Sequence, residues 1–324
     1  MQAIILAAGK STRTYPLTLT RPKPLLKAAN KTLLEHNLEN LNNIVDEVII
    51  VVGYKKNLIK RHIGNKYKNL KIKYIEQKQQ LGTGNALLVA EKYIKNEFLS
   101  LHGDDIYSRA DFKNVIKNKY SILTKKVKNP ELFGVIVQKN GILLRLVEKP
   151  KKFVSNLVNT GLYKLDKNFF PIIKKLKKSK RGEYELTDAI SELSKFQKIY
   201  CVQSKQWLPI VRAFDLIKAD KALRKGKNFF GKKSKIYGKV VNSSIGNYCI
   251  VKGSVKDSII MDKSIIEKNS VVANSVIGEK TYIDGKIYSS VIAYNVTINN
   301  SIIKNCKILP NKRISNKTIR HDVK

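Results

Sequence analysis

The sequence predicts an α/β domain followed by a short parallel β-helix. Three observations carry this reading. Apolar runs alternate with helix-spaced stretches over the first two thirds of the chain. A basic, glycine-containing linker, KGKNFFGKKSK, occupies 225–235. Beyond it, aliphatic residues recur every six positions. With 324 residues and 43% hydrophobic content, the chain can bury a large core and is long for one domain, so two are expected, at 1–225 and 226–324.

In chain order, AIILAA (3–8), EVIIVVG (47–53), KIKYI (71–75) and EFLSLHG (97–103) read as buried strands of a mixed, mostly parallel sheet. TLLEHNLENLNNI (32–44) and GNALLVAEKYI (84–94) place apolar residues at helical spacing between them. In the second part, Ile259, Ile265, Val271, Ile277 and Ile283 keep a period of six, and Val296, Ile302, Ile308 and Ile314 repeat it out of phase, with an interruption expected near 284–295. Small polar residues stand before many of the aliphatic ones: Ser258, Ser264, Ser270, Ser275, Ser290 and Ser301. Three hexapeptides make one triangular coil, so about four coils are expected.

Composition excludes several classes. No apolar run approaches the roughly 20 residues of a membrane-spanning helix. The N-terminal MQAIILAAGK lacks the basic flank and cleavage site of a signal peptide and reads as a first strand. Cys201, Cys249 and Cys306 stand far apart, which argues against a disulfide framework or zinc cluster and for a reducing, cytoplasmic setting. The 63 Lys and Arg against 25 Asp and Glu give a formal charge of +38. A nucleic-acid partner is one reading. The even spread of Lys along the chain, with abundant Asn and Ile, instead fits AT-rich codon usage or a general pull on phosphate-bearing substrates.

Ligands of parallel α/β sheets bind at the carboxyl ends of the strands, and the chemical motifs fall there. LAAGKSTRTYPLTLTRPKPL (6–25) follows the first strand and offers Gly9, Lys10, Ser11, Thr12 and Arg13, whose amides and cations can surround phosphate oxygens. It is not a P-loop, because position 4, where that motif needs glycine, is Ile. Lys23 stands between prolines that stiffen its backbone.

This segment resembles the signature loop of the sugar-1-phosphate nucleotidyltransferases, LAAGxGTRxxPxTxxxPKPL, with Ser11 in place of the second glycine. Further matches follow in the family's order. IEQKQQLGTGNA (75–86) resembles the base-recognition segment, implying that Gln77 reads the pyrimidine edge while Gly82 and Thr83 line the base pocket. Its QLGTGxA form is similar to that of uridylyltransferases acting on N-acetylglucosamine 1-phosphate. LHGDDIY (101–107) implies that Asp104 binds Mg²⁺, with Asp105 behind it. For the sugar phosphate the resemblance implies Gly134 in LFGVI, Glu148 and Lys149 in VEKP, and Asn159 with Tyr163 in VNTGLY. Glu185 and Asp188 in RGEYELTD read as structural.

The resemblance therefore implies a Rossmann-like nucleotidyltransferase joined to a left-handed β-helix. The reaction would join UTP or dTTP to a sugar 1-phosphate and release pyrophosphate. Leu6, Ala8, Gly9, Ser11 and Thr12 would hold nucleotide, Arg13 and Lys23 the triphosphate, and Asp104 the metal. One departure stands out. In WLPIVRAFDL (207–216), Pro209 occupies the place of the family's second metal-binding Asp. Either Asp104 and the substrate phosphates suffice for Mg²⁺, or the chain is a non-catalytic nucleotide-sugar-binding scaffold. No histidine stands within the repeats, and only His321 follows them, so acetyl transfer is not expected. The repeats would then serve assembly into a trimer or tetramer, and removing 226–324 would leave nucleotide binding intact.

Overall fold

The computed structural model describes residues 1–323. Packing forms two compact units: Met1–Gly9 with Leu34–Leu208, and Lys10–Leu33 with Pro209 onward. The expected boundary at 225/226 thus falls inside the second unit, which also takes in Lys10–Leu33 from the expected first domain.

In the first unit, the four expected strands form as β1 (Gln2–Ala7), β2 (Glu47–Val52), β3 (Leu70–Glu76) and β4 (Glu97–His102). They are mutually parallel in the order β4-β1-β2-β3. Helices α1 (Leu33–Leu41), α2 (Lys56–Ile63) and α3 (Thr83–Leu88) lie between them in sequence. Val48 through Val52 are fully buried, as expected for strands covered on both faces.

The second half of the sheet corrects the expectation of mostly parallel strands. It contains β5 (Ser121–Lys126), β6 (Gly134–Lys139), β7 (Ile142–Glu148), β8 (Leu157–Asp166) and β9 (Tyr200–Gln203), in the order β6-β7-β9-β5-β8-β4-β1-β2-β3, with the two-residue strand Lys66–Tyr67 beyond β3 as the tenth. Apart from β9 against β5, these pairings are antiparallel. For β6 and β7 the reason is local. Asn140 and Gly141, with φ of 50° and 77°, form a two-residue left-handed turn whose twist matches a hairpin. Helices α4 (Arg109–Val115), α5 (Phe170–Lys174) and α6 (Leu186–Leu193) complete this unit, and Phe170 of α5 stacks on Phe98 of β4 at 5.6 Å.

The second unit contains α7 (Asp215–Arg224) and a stack of short parallel strands. Ile245, Ile260, Ile277, Ile292 and Ile308 stand in register in successive strands, 15 to 17 residues apart. The sheet they share has six strands, so there are six tiers where about four were expected, and each is shorter than three hexapeptides. Ile259, Ile277, Ile283, Val296, Ile308 and Ile314 of the expected period are buried, but at other positions the inward residue shifts by one. Ile266 and Val272 are fully buried, whereas Ile265 and Val271, which carried the six-residue period, are half-buried. The expected interruption is a register shift between Asp284 and Gly285. Beyond Ile314 the stack continues: Val323 bridges to Ile308 and packs against the core.

Two side-chain columns hold the tiers together. The Ser258, Ser275 and Ser290 amides donate at 3.1 Å to the hydroxyls of Ser243, Ser258 and Ser275, each one tier back. Those hydroxyls donate to carbonyls two residues earlier, for example Ser258 Oγ to Lys256 O at 2.6 Å. Asn and Lys occupy corners. Asn242, Asn274 and Asn305 repeat along one column with φ of 47° to 55°, and Lys263, Lys280, Asn295 and Asn311 repeat along another with φ of 56° to 62°. Asn tolerates this left-handed region better than most residues, so part of the Asn content has a structural cause.

Lys10–Leu33 rests on these tiers. Arg21 pairs with Glu279 at 2.5 Å, Lys27 pairs with Asp262 at 2.6 Å, and Asn30 Nδ2 donates to Ile245 O at 2.8 Å. The Ala29 amide donates to Asp220, whose other oxygen accepts from Arg224 at 2.6 Å, with both side chains 1% exposed. Removing 226–324 would take away the partners of Arg21, Lys27 and Asn30 and leave Asp220. The expectation that nucleotide binding survives the truncation is therefore withdrawn.

Ser258→Ala removes the acceptor of the Ser275 amide inside the stack. An unsatisfied buried amide costs about 1–3 kcal/mol. Chemical denaturation followed by far-UV circular dichroism should show a loss of that size, and an unchanged midpoint would rule out the serine column as a stabilising element.

Candidate active site

The register of the parallel strands gathers the first group of candidate residues. Leu6 stands opposite Val51 and His102, and Val51 stands opposite Ile75. The next residues of all four strands therefore leave the sheet along one edge: Ala8 and Gly9, Gly53, Gln77, and Gly103 with Asp104. Two glycines make this edge close. A Cβ on Gly53 would lie 2.8 Å from Ala8 O, and one on Gly103 would lie 2.8 Å from Ile5 Cγ2. The Gly103 amide donates to Leu6 O at 2.9 Å, which carries Asp104 alongside the end of β1. Ala8 O accepts from the Tyr54 amide and from Gln80 Nε2, both at 2.9 Å. Gln80 is a site neighbour that the sequence reading missed, because a polar residue in a loop carries no distinguishing pattern.

Gln77 is 5% exposed. Its Nε2 donates to Gly82 O at 3.1 Å and to Asn85 Oδ1 at 2.9 Å. A backbone carbonyl can only accept, so the amide orientation is fixed and Oε1 is its remaining acceptor. Gly82, at φ 102°, opens α3 under Tyr184, whose backbone O would sit 2.7 Å from a Cβ there. The Thr83 hydroxyl accepts from the Leu186 amide at 3.0 Å, so it ties α3 to the start of α6.

The candidate sugar residues also come together. Gly134 and Glu148 are register partners on β6 and β7, and Val135 pairs with Val158 next to Asn159 on β8. A Cβ on Gly134 would approach Glu148 Oε2 to 3.2 Å, so the glycine makes room for this carboxylate. Asn159 Nδ2 donates to the Tyr163 hydroxyl at 2.5 Å, while its Oδ1 accepts from the Gly161 amide at 2.8 Å. These bonds close an irregular stretch of β8 between Asn159 and Tyr163. Burial pushes the Tyr163 phenol well up, so it stays protonated. Lys149 is exposed and pairs with Glu148 at 3.4 Å, and Arg181, missed in the sequence, lies 3.9 Å from Glu148. Glu185 is structural as expected: it is 4% exposed and accepts from Arg181 and Ser179. Burial, then Glu185 and Glu148, push the Asp188 carboxyl up.

Ser11, Thr12, Arg13 and Lys23 lie in the second unit. Ser11 takes φ 54°, the left-handed conformation for which the missing glycine is suited. Its carbonyl accepts from the Thr14 and Thr18 hydroxyls at 2.8 and 2.9 Å, which holds the turn. Thr12 and Arg13 are exposed. Lys23 is 4% exposed on the short Lys23–Leu25 turn between Pro22 and Pro24.

For a metal, the donor chemistry is sparse. Among the described residues, no three His, Cys, Asp or Glu side chains form a cluster that could hold an ion. Asp105 is committed elsewhere, its carboxylate accepting from the Trp207 indole at 3.1 Å. Asp215 is spent on the amides of Val211 and Arg212 at 3.0 and 2.7 Å, and Pro209 offers no side-chain ligand. One half-buried carboxylate, Asp104, fits Mg²⁺, which is commonly held by one or two carboxylates, water and substrate phosphates.

Comparison with known proteins places the chain in a family. The family model described as Nucleotidyl transferase matches residues 2–226, and that described as GMPPB C-terminal domain matches 228–323. The bifunctional protein GlmU of Methanocaldococcus jannaschii is 44% identical over 69% of this chain and 54% of its own length. The chain thus spans about half the length of that relative. The UTP–glucose-1-phosphate uridylyltransferase AglF of Haloferax volcanii is 36% identical over 60% of this chain and 83% of its own. A crystal structure of a putative glucose-1-phosphate thymidylyltransferase from Bacillus anthracis, in complex with sucrose, aligns with a TM-score of 0.63 and 29% identity, over 71% of this chain and 97% of that one.

Gly161 tests how tightly this edge is built. It has φ 83°, and a Cβ there would lie 2.5 Å from His102 Nδ1. Gly161→Ala should cost about 2–4 kcal/mol from strain and overpacking together. Gly141 has φ 77° with nothing within 4 Å, so Gly141→Ala should cost only the strain of about 1–2 kcal/mol. Equal losses in thermal denaturation would refute the contact with His102.

Proposed function

Because the chain belongs to the sugar-1-phosphate nucleotidyltransferase family, we propose that it joins UTP or dTTP to a sugar 1-phosphate. The products are pyrophosphate and UDP-N-acetylglucosamine, UDP-glucose or dTDP-glucose. The observation that supports this reading most is the shared register of β1 to β4, which sets the nucleotide and metal candidates along one sheet edge. The sugar phosphate's oxygen attacks the α-phosphorus in line and pyrophosphate leaves. Positioning and charge neutralisation carry most of the rate, and no covalent nucleophile is required.

Gln77 supplies base preference. Its one remaining acceptor, Oε1, matches the N3–H of uracil or thymine, whereas N3 of cytosine is itself an acceptor. Leu6, Ala8, Gly9, Ser11 and Thr12 hold the nucleotide, with Gly82 and Thr83 at the base. Gly134, Glu148, Asn159 and Tyr163 hold the sugar, and Lys149 its phosphate. Arg13 and Lys23 offset charge on the triphosphate and leaving pyrophosphate. Asp104 would hold Mg²⁺, whose charge would offset that of the phosphate oxygens.

For the C-terminal tiers we propose a left-handed β-helix that associates with copies of itself, without acetyl transfer. The setting is cytoplasmic, in keeping with the free, buried or half-buried cysteines. Among the described residues, no helix is long and apolar enough to cross a membrane. A second reading, a nucleotide-sugar-binding scaffold without turnover, is favoured by Pro209 alone.

A coupled pyrophosphate-release assay separates the two. Turnover with UTP or dTTP and a sugar 1-phosphate supports the enzyme, while tight binding without release supports the scaffold. Within the enzyme reading, Asp104→Asn should abolish most turnover and leave the fold intact. Lys23→Ala should lower kcat by on the order of 100-fold or more, as for other electrostatic stabilisers. A Lys23→Ala effect confined to KM would show uniform binding instead. CTP should be rejected by at least about 100-fold, since it offers no N3–H to Gln77 Oε1.

A further inference from the structure

We propose that Asp262 and Glu279, on the C-terminal tiers, are positioning residues for nucleotidyl transfer: by anchoring Lys27 and Arg21 they fix where Lys23 stands. The inference rests on the function proposed above.

Asp262 and Glu279 follow the register partners Ile260 and Ile277 by two residues each, so they occupy the same corner of successive tiers. Strands in a sheet are about 4.8 Å apart, so the two carboxylates form a short vertical pair. Lys27 and Arg21 lie six residues apart on the loop and take one carboxylate each, at 2.6 and 2.5 Å. All four side chains are largely screened from water, at 14% to 22% exposure. Ion pairs so placed are not the weak, mobile pairs of an open surface.

Their placement brackets the candidate catalytic lysine. Arg21 precedes Pro22-Lys23-Pro24 and Lys27 follows it, so the segment between the anchors is short and carries two prolines. Little backbone freedom remains to absorb a shift at either end. Leu26 and Leu17 line one crevice with Met261, Gly278 and Tyr294 of the tiers, which adds an apolar contact beside the ion pairs. Carboxylates are scarce here, 25 against 63 cations in the whole chain. Two of them stand in consecutive tiers against the one loop whose lysine is assigned to the triphosphate.

The test uses the full-length chain with Glu279→Gln, Asp262→Asn and the exchanged pair Arg21→Glu with Glu279→Arg. Hydrogen exchange over Lys10–Leu33 should quicken by about tenfold or more in each neutralised variant while the tiers keep their protection. In the pyrophosphate assay kcat should fall by about 10- to 100-fold, the cost expected of a displaced catalytic group, with KM for the sugar phosphate changing less than about twofold. The exchanged pair should recover most of both losses. Unchanged exchange over the loop, or loosened exchange with unchanged kcat, would overturn the inference. Absence of turnover in the unmodified chain would instead count against the function proposed above, and the loop exchange would still report whether the anchors hold.

Discussion

A parallel strand cannot be joined to its neighbour by a tight turn, and both halves of this protein are organised around that constraint. In the first unit the chain must return to the opposite end of the sheet before each new strand, so every strand from β1 to β4 ends at one edge. Loops leaving that edge need no further design to be neighbours. Gly53 and Gly103 then let the ends of β2 and β4 close on Ala8 and Leu6. The second unit meets the same constraint differently. Its strands turn corners and come back one tier higher, so the parallel partner is reached after 15 to 17 residues. One solution collects loops, and the other builds a column.

The corners explain residues that composition alone misjudged. Abundant Asn reads as codon bias, yet Asn242, Asn274, Asn295, Asn305 and Asn311 each occupy a left-handed corner. Lysines share these corners, and some lie over tyrosine rings, as Lys233 does over Tyr248 at 5.9 Å and Lys280 over Tyr294 at 5.3 Å. Part of the basic excess thus has a place in the tiers without any polyanion.

Much of the fold was legible because its signals are local. The four parallel strands are continuous apolar runs, and their loops carry ordered motifs. The tiers were legible as a repeat but misjudged in number and length. Adjacent pairs such as Ile265-Ile266 and Val271-Val272 satisfy an aliphatic test twice, and only packing decides which member points inward. The hairpin at Asn140-Gly141 rests on a two-residue turn, a far shorter signal than the strand–helix alternation that predicts parallel crossovers. For the site, motif order picked out residues that the sheet then brought together, from Gly134 to Tyr163. What spacing could not supply was tertiary: the Gln77 amide spent on Gly82 and Asn85, His102 against Gly161, and the docking of Lys10–Leu33 on tiers more than 200 residues away in sequence.

Stacked tiers are units that evolution can add or delete at the end of a column, since each touches chiefly its neighbours. Here that freedom is unequal. The loop's ion pairs to Asp262 and Glu279 lie on tiers before Tyr294, and the tiers after it can vary in number at less consequence to those pairs. The tiers bearing Asp262 and Glu279 are pinned by a partner elsewhere in the chain. Insertion of one coil between them would move one carboxylate by a whole tier, about 4.8 Å, and part it from its cation. Length variation among relatives of this protein should therefore concentrate at the far end of the stack and spare the two tiers beneath the loop.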